Sequence, residues 1–234
     1  MTIRCDLLAV GTELLLGQIV DSNSAWLGER LAAAGIGSHL HVQVGDNVGR
    51  IEQQLRNLLA HADCVIICGG LGPTHDDLTR EAIAAVMGDV DLVLDDVVAA
   101  AITEMFAVRG REMSQNNLRQ ALVPVGATVI PQTTGTAPGL ICPVVVDGVT
   151  KTVYAMPGVP SEMREMFGRA VLPDMLGRDA EAGTIVSQVI KVWGDSESGL
   201  NARLEDIIEE LDQRSDVTLA FLARGWNGLE IRLT

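Results

Sequence analysis

The chain has 234 residues, 47% hydrophobic and 3% aromatic, with a formal net charge of −14. That length supports one good core with room for a smaller second domain. The acidic balance repels a phosphate backbone and the scarce aromatics leave little for base stacking, so the sequence argues against nucleic acid as a partner.

Ile3 to Val10 is an apolar run of strand length. Asp21-Ser22-Asn23-Ser24 then opens an amphipathic helix, with Trp26, Leu27, Leu31 and Ala34 on one face and Gly35 at its stop. His39 to Val44 alternates like a strand. Asn47 is placed to cap the next helix, on which Ile51, Leu55, Leu58 and Leu59 form a stripe. Cys64 to Cys68 is a short strand apolar on both faces. Residues 69–77 form a glycine turn, and a helical pattern follows from Leu78 to Met87. Asp95 to Val108 reads as a helix ended by Arg109-Gly110-Arg111, and Ala127 to Ile130 as a short strand. Leu140 to Val146 and Thr152 to Met156 flank Asp147-Gly148, the signature of an antiparallel hairpin. Met156-Pro157-Gly158-Val159-Pro160 breaks the chain before a helix from Ser161 to about Met175. This alternation predicts an α/β domain over residues 1–176: three layers around a mostly parallel sheet.

A second unit is expected over residues 177–234. Residues 178–183 read as a linker. Thr184 to Val192, Val217 to Leu222 and Leu229 to Leu233 read as strands, and Ser196 to Asp212 as helix. At about 55 residues such an α+β appendage is small for independent folding.

No apolar run reaches the ~18 residues of a membrane helix, and the start has no signal-peptide pattern, so a cytoplasmic protein without membrane contact is expected. The four cysteines fit reduced core thiols. Cys64 and Cys68 share a strand face, but no His or second Cys pair accompanies them, which favours packing over a metal.

The most informative stretch is Gly69-Gly70-Leu71-Gly72-Pro73-Thr74-His75-Asp76-Asp77-Leu78-Thr79. A buried strand, a glycine turn and a helix start make an anion site, because glycine lets backbone N–H groups approach a phosphate. Asp76 and Asp77 add two hard oxygen ligands for a divalent metal, with helix N-capping as the plainer alternative. Other hydrolase signatures are missing: no Gly-x-x-x-x-Gly-Lys-Ser/Thr loop, no Gly-x-Ser-x-Gly elbow, no His-Glu-x-x-His pair and no Nudix-type acidic helix.

Four segments together carry a family resemblance: Gly11 to Asn23, Gly69 to Thr79, Asn116 to Pro124 with Gly135 to Gly139, and Met156 to Met163. In this order they resemble the N-terminal part of the competence/damage-inducible CinA family, within the MoaB/MogA-like molybdopterin-binding superfamily. Trp193 to Ser198 looks like the start of that family's KH-type region. The C-terminal amidase-like domain of many members has no counterpart in this chain.

The resemblance implies divalent-metal-dependent (Mg, Mn or Co) hydrolysis of a nucleoside diphosphate sugar, with ADP-ribose giving AMP and ribose 5-phosphate. A non-catalytic pterin- or nucleotide-binding module is the alternative, and RNA binding through the KH-like region a weaker one. It implies Asp76 and Asp77 as metal-holding catalytic carboxylates, with Glu13 assisting. Gly11, Thr12, Asn23, Gly69, Gly70, Gly72, Thr74, Asn116, Asn117, Gly135, Thr136, Pro157, Gly158 and Ser161 would contact a small anionic nucleotide-type ligand, with Glu162 near the pocket. A homo-oligomer is also implied. Gly225-Trp226-Asn227-Gly228 has the spacing of a KH loop, but it lies between two strand patterns without basic neighbours and reads as a hairpin turn.

Overall fold

The computed structural model describes residues 3–178, 188–214, 217–223 and 228–233. They divide into two units near residue 182. In the first, β1 (Cys5–Val10) leads through a one-turn helix α1 (Thr12–Leu15) to α2 (Ser22–Ala33), β2 (His41–Val44), α3 (Val48–Leu59) and β3 (Cys64–Cys68). After the glycine turn come α4 (Thr79–Val86), β4 (Leu92–Leu94), α5 (Asp96–Val108), a 3-10 turn (Gln115–Ala121) and β5 (Leu122–Pro124). Then β6 (Thr128–Ile130), β7 (Gly139–Val146), β8 (Val149–Met156), α6 (Pro160–Met166), a π-helical turn (Phe167–Val171) and α7 (Leu172–Arg178) complete the unit.

The main sheet has the order β2-β1-β3-β8-β7-β6. Strands β2, β1, β3 and β8 are mutually parallel, and β7 runs antiparallel to both neighbours. This is an α/β fold with a mostly parallel sheet. Side chains alternate across a strand, so each central strand must bury both faces. Leu8, Val10, Val65, Ile67, Val153 and Ala155 pack on one side with Ile51, Leu55, Leu58 and Leu59 of α3 and Ile83 of α4. Residues of the other parity, such as Leu7, Ile66 and Tyr154, are equally buried. In α2 and α6, Leu27, Leu31, Met163 and Met166 are buried too, and Trp26 of α2 meets Phe167 edge-on at 5.5 Å. Each fully buried aliphatic side chain contributes about 1.5–3 kcal/mol, so the stripe on α3 alone outweighs its indifferent helix propensity.

Most expected elements sit where the pattern put them. Asn47 caps α3 by accepting from Arg50 N–H, and Asp95 caps α5 by accepting from Val97 and Val98 N–H. The helix after Pro160 is broken by a π-helical turn and continues to Arg178, two residues past the expected boundary at 176. The one-turn α1, the 3-10 turn and the β4–β5 ribbon are too short for periodicity to show.

The hairpin turn has Asp147 at φ 49° and Gly148 at φ 80°, the paired left-handed residues that match strand twist. A Cβ on Gly148 would meet nothing within 4 Å. Gly148→Ala should therefore cost about 1 kcal/mol, all of it backbone strain, and urea denaturation would read it.

Asp6 is a buried carboxylate inside β1. It accepts from His39 N–H at 2.8 Å and Leu40 N–H at 3.1 Å, and pairs with Arg4 at 2.7 Å. Burial pushes its pKa up, but the Arg4 side chain and the two N–H groups together hold it below the usual carboxylate range. A depressed folded-state value stabilises above the ordinary carboxylate pKa and loses that stabilisation as pH falls through the folded value. Asp6→Asn should thus destabilise at pH 7, with the gap to the parent shrinking towards pH 3 in paired denaturation curves.

The second unit holds β9 (Gln188–Val192), α8 (Glu197–Arg203), α9 (Glu205–Arg214), β10 (Leu219–Ala223) and β11 (Leu229–Leu233). Its antiparallel sheet has the order β10-β11-β9. The expected single helix is split at Leu204. The register pairs Ala223 with Leu229, making β10 and β11 neighbours in sequence and space. The expected linker from residue 179 on, the start of the first expected strand (184–187) and most of the Gly225–Gly228 turn lie outside the described residues.

Candidate functional site

Strands β1, β3 and β8 run parallel and end side by side at Val10-Gly11, Cys68-Gly69 and Met156-Pro157. An open cleft of about 430 Å³ lies over these carboxyl ends. The chain leaves β1 towards β2 at one edge of the sheet, whereas β8 lies on the far side of β3. Such a reversal of strand order is where open α/β sheets hold ligands.

The glycine loop forms the floor. Gly69 and Gly70 have φ of 105° and 66°. The carbonyls of its first four residues turn away to the start of α4: Thr79 Oγ1 donates to Gly69 O at 2.8 Å, Thr79 N–H to Gly70 O at 3.2 Å, and Arg80 to Leu71 O and Gly72 O. Gly69 N–H is spent on Met156 O at 3.0 Å. The N–H groups of Gly70 and Leu71 have no acceptor among the described residues. Two successive N–H groups without a protein acceptor are what an anion-binding nest requires. Arg80 is buried behind this loop; burial brings its guanidinium down to about 10, with Glu81 and Asp77 opposing, so it stays a cation at neutral pH.

The two aspartates differ in role. Asp77 accepts from Gly72 N–H at 2.7 Å, from Thr74 N–H at 2.8 Å and from the Thr74 hydroxyl. It is the brace of the loop. Asp76 is exposed, and the partners of its carboxyl lie within its own turn. The Thr74 side chain, its own N–H and His75 hold the Asp76 carboxyl below the usual range. Neither residue caps α4, because Leu78 takes that position. Arg119 ties the 3-10 turn to the same loop through Thr74 O at 3.1 Å, Asp77 O at 3.4 Å and Glu81 at 2.7 Å.

Of the expected contact residues, Gly11, Glu13, Gly69, Gly70, Gly72, Thr74, Asp76, Asp77, Thr136, Pro157 and Gly158 line this cleft. Thr12 stands beside it and binds Asp46 through its N–H at 2.8 Å and hydroxyl at 2.7 Å. Asn23 lines a small neighbouring recess and spends its amide on Gly158 O at 2.8 Å, so it positions the 157–158 wall. Gly135 lies under the Glu162 carboxylate, where a Cβ would fall 2.1 Å from it. Asn116, Asn117 and Ser161 are not among the lining residues; Asn117 donates to Ser114 O within its own turn at 3.0 Å. Arg109 reaches Thr134 O at 3.0 Å.

The sequence reading did not single out Asp46 or Gln120 as lining residues. Asp46 follows β2 as Glu13 follows β1, so the rule that strand ends hold ligands applies to both. Gln120 lies within the Asn116–Pro124 segment of the resemblance, but in a polar stretch without periodicity nothing set it apart.

The cleft's charge is one-sided. Glu13, Asp46, Asp76, Asp77 and Glu162 line it, and no Lys, Arg or His does so among the described residues. Burial raises the pKa of Glu162, and Arg109 opposes the rise. Among the described residues no three His, Cys, Asp or Glu side chains converge as a metal-holding group. The cysteines are free and buried, and burial pushes the thiols of Cys68 and Cys142 up to about 12, which suits core packing. No described helix is long and apolar enough to cross a membrane.

A family model described as a probable molybdopterin binding domain matches residues 6–177. A CinA-like protein of Frankia casuarinae is 44% identical over 227 residues, covering 95% of this chain and 51% of that protein. A putative competence-damage inducible protein of Geobacillus sp. is 42% identical over 234 residues, covering 99% and 53%. The chain thus spans about half the length of the curated relatives it matches. Among solved structures, the protein CinA of unknown function from Thermoplasma acidophilum is 34% identical with a TM-score of 0.66, over 74% of this chain and 98% of that one. MoaB of Pyrococcus furiosus, a tungsten cofactor synthesizing protein, shares the fold at a TM-score of 0.50 and 17% identity, over 75% and 96%. With the matched residues taking in the whole glycine loop and all three strand ends of the cleft, the chain belongs to the family of probable molybdopterin binding domains, as a CinA-like member.

Proposed function

We propose that the cleft binds a nucleoside diphosphate sugar together with a divalent cation and hydrolyses its pyrophosphate, ADP-ribose giving AMP and ribose 5-phosphate. The observation that carries this reading is the pairing of two N–H groups that no protein acceptor takes with a lining of carboxylates. An anion suits the N–H groups but not the carboxylates. A cation between the two satisfies both.

The donor set fits Mg, Mn or Co of this kind. Such ions take hard oxygen ligands, commonly one or two carboxylates with the rest from water and ligand phosphate. Asp76 is the free carboxylate that would hold it, with Asp77 beside it and Glu13 across the cleft. When bound, the ion would neutralise phosphate charge and acidify a water. The chain's own residues do the remaining work. Gly70 and Leu71 N–H groups orient a phosphate. Asp77, Arg80 and Arg119 keep the loop in shape. Glu162, held towards its protonated form by burial, is placed to exchange a proton with the leaving group. The reading places the protein in the cytoplasm as a homo-oligomer, with a small ligand rather than nucleic acid suited to its net charge of −14.

A second reading is a binding module without turnover. It is favoured by the lack, among the described residues, of any three-residue metal-holding group. Incubation with ADP-ribose and a panel of divalent metals, with AMP detected directly, separates the two. Metal-dependent AMP release supports hydrolysis. Retained, unchanged ligand supports the module, and no binding at all removes both.

A further inference from the structure

Between β1 and α2 the chain forms a lip beside the cleft. Leu15, Leu16, Ile19 and Val20 on this lip are all more than half exposed, Val20 by 87%. The lip is not frayed. Gly17 N–H bonds to Leu14 O at 3.1 Å and Gln18 N–H to Glu13 O at 3.0 Å, so the backbone holds these side chains out. Single exposed aliphatic residues are ordinary, but four within six positions make a patch, the mark of an interaction surface.

Charge flanks the patch on two sides. Towards the cleft stands Glu13, exposed and without a basic partner among the described residues. Away from the cleft the patch runs to the first turns of α2 and α6, because Glu13, Ile19, Val20 and Pro160 line one shared recess. There Arg30 and Arg164 each lie 5.4 Å from the ring of Trp26. Glu29 stands 3.9 Å from Arg30, whereas Arg164 meets no carboxylate among the described residues. Stacking on the ring orders the Arg164 guanidinium without neutralising it. Across this face the order is carboxylate, apolar patch, guanidinium. Such an order is self-complementary: a two-fold axis through the patch joins the two patches and sets each charge opposite its counter-charge. Two copies of net charge −14 repel at long range, so a stable pair needs a local match of this sort.

We propose that this face is an isologous interface between two copies of the chain, with Leu16 and Val20 at its centre and Arg164 of each copy opposite Glu13 of the other. This gives the homo-oligomer of the reading above its contact face, and rests on that part of the reading. Glu13 also lines the cleft, so the pairing brings a guanidinium to a mouth with no cationic side chain of its own among the described residues. A carboxylate has two oxygens, and this contact leaves one for the cation proposed above.

The test is sedimentation velocity of the full chain across a concentration series. The parent should dimerise. Val20→Asp, Arg164→Glu and Glu13→Arg should each raise the dissociation constant at least tenfold. Their thermal midpoints should stay within a few degrees of the parent's, since all three side chains are exposed. An equimolar mixture of Arg164→Glu and Glu13→Arg should dimerise again, because only the mixed pair joins opposite charges at both contacts. Val97→Asp, at an exposed apolar position of α5, should assemble as the parent does. A parent dimer that survives Val20→Asp, or is lost on Val97→Asp, overturns this face and leaves the homo-oligomer standing. So does a mixture as weak as its components, a trimeric parent, or a Val20→Asp chain that loses its fold. A parent monomeric at all concentrations overturns the homo-oligomer and this inference together.

Discussion

Gly69→Ala is expected to cost on the order of 4 kcal/mol of folding stability, enough to threaten the fold itself. Two terms add. An L-residue at φ 105° carries about 1–3 kcal/mol of backbone strain. The new Cβ would also sit 2.3 Å from the carbonyl oxygen of Val10. That oxygen belongs to the backbone of a central strand, paired through Val10 with Val44, so it cannot swing aside as a side chain would. Gly69 cannot rotate away either, because its N–H is held by Met156 O. The strand ends under the cleft must part. Urea denaturation measures the loss, and a cost below about 1 kcal/mol, as at the unhindered Gly148, would show that the junction is looser than its geometry.

The second large effect separates the paired aspartates. Under the proposed hydrolysis, Asp76→Asn should lower turnover by about a hundredfold, through lost charge beside the phosphate. It should leave stability nearly untouched, since that carboxylate is exposed and its partners lie within its own turn. Asp77→Asn should lower turnover as far and also cost about 1–3 kcal/mol, because an amide cannot accept all three loop donors. Turnover with ADP-ribose and denaturation of both variants check this. If Asp76→Asn keeps near-normal metal-dependent turnover, the exposed aspartate is not the cation's ligand. If Asp77→Asn is as stable as the parent, the brace is misassigned.

The sequence exposed what depends on periodicity and on turn chemistry. The stripe on α3, the two-faced apolar run of β3 and the Asp147-Gly148 turn each follow from local rules, and from them the α/β alternation. It also marked the glycine loop as a candidate site, and the structure places that loop along the cleft. It could not divide the labour between Asp76 and Asp77. That difference comes from how the loop folds back, putting Gly72 and Thr74 N–H groups on one carboxylate and leaving its neighbour exposed. Nor could it foresee Asn23 as a strut for Gly158, a contact across 135 residues. Gln120 went unremarked for a related reason: only the packing of the 3-10 turn against the loop brings it to the cleft wall.

The one-sided charge of the cleft has a thermodynamic consequence. Under the proposed reading, carboxylates that repel a lone phosphate would attract the cation that bridges it, so each guest would raise the affinity for the other. Linkage makes this reciprocal: whatever factor the cation adds to nucleotide binding, the nucleotide adds to cation binding. At low free cation both sites would stand empty together, and they would fill together. Occupancy would follow the product of two concentrations, so the protein would respond to a coincidence of signals rather than to either alone.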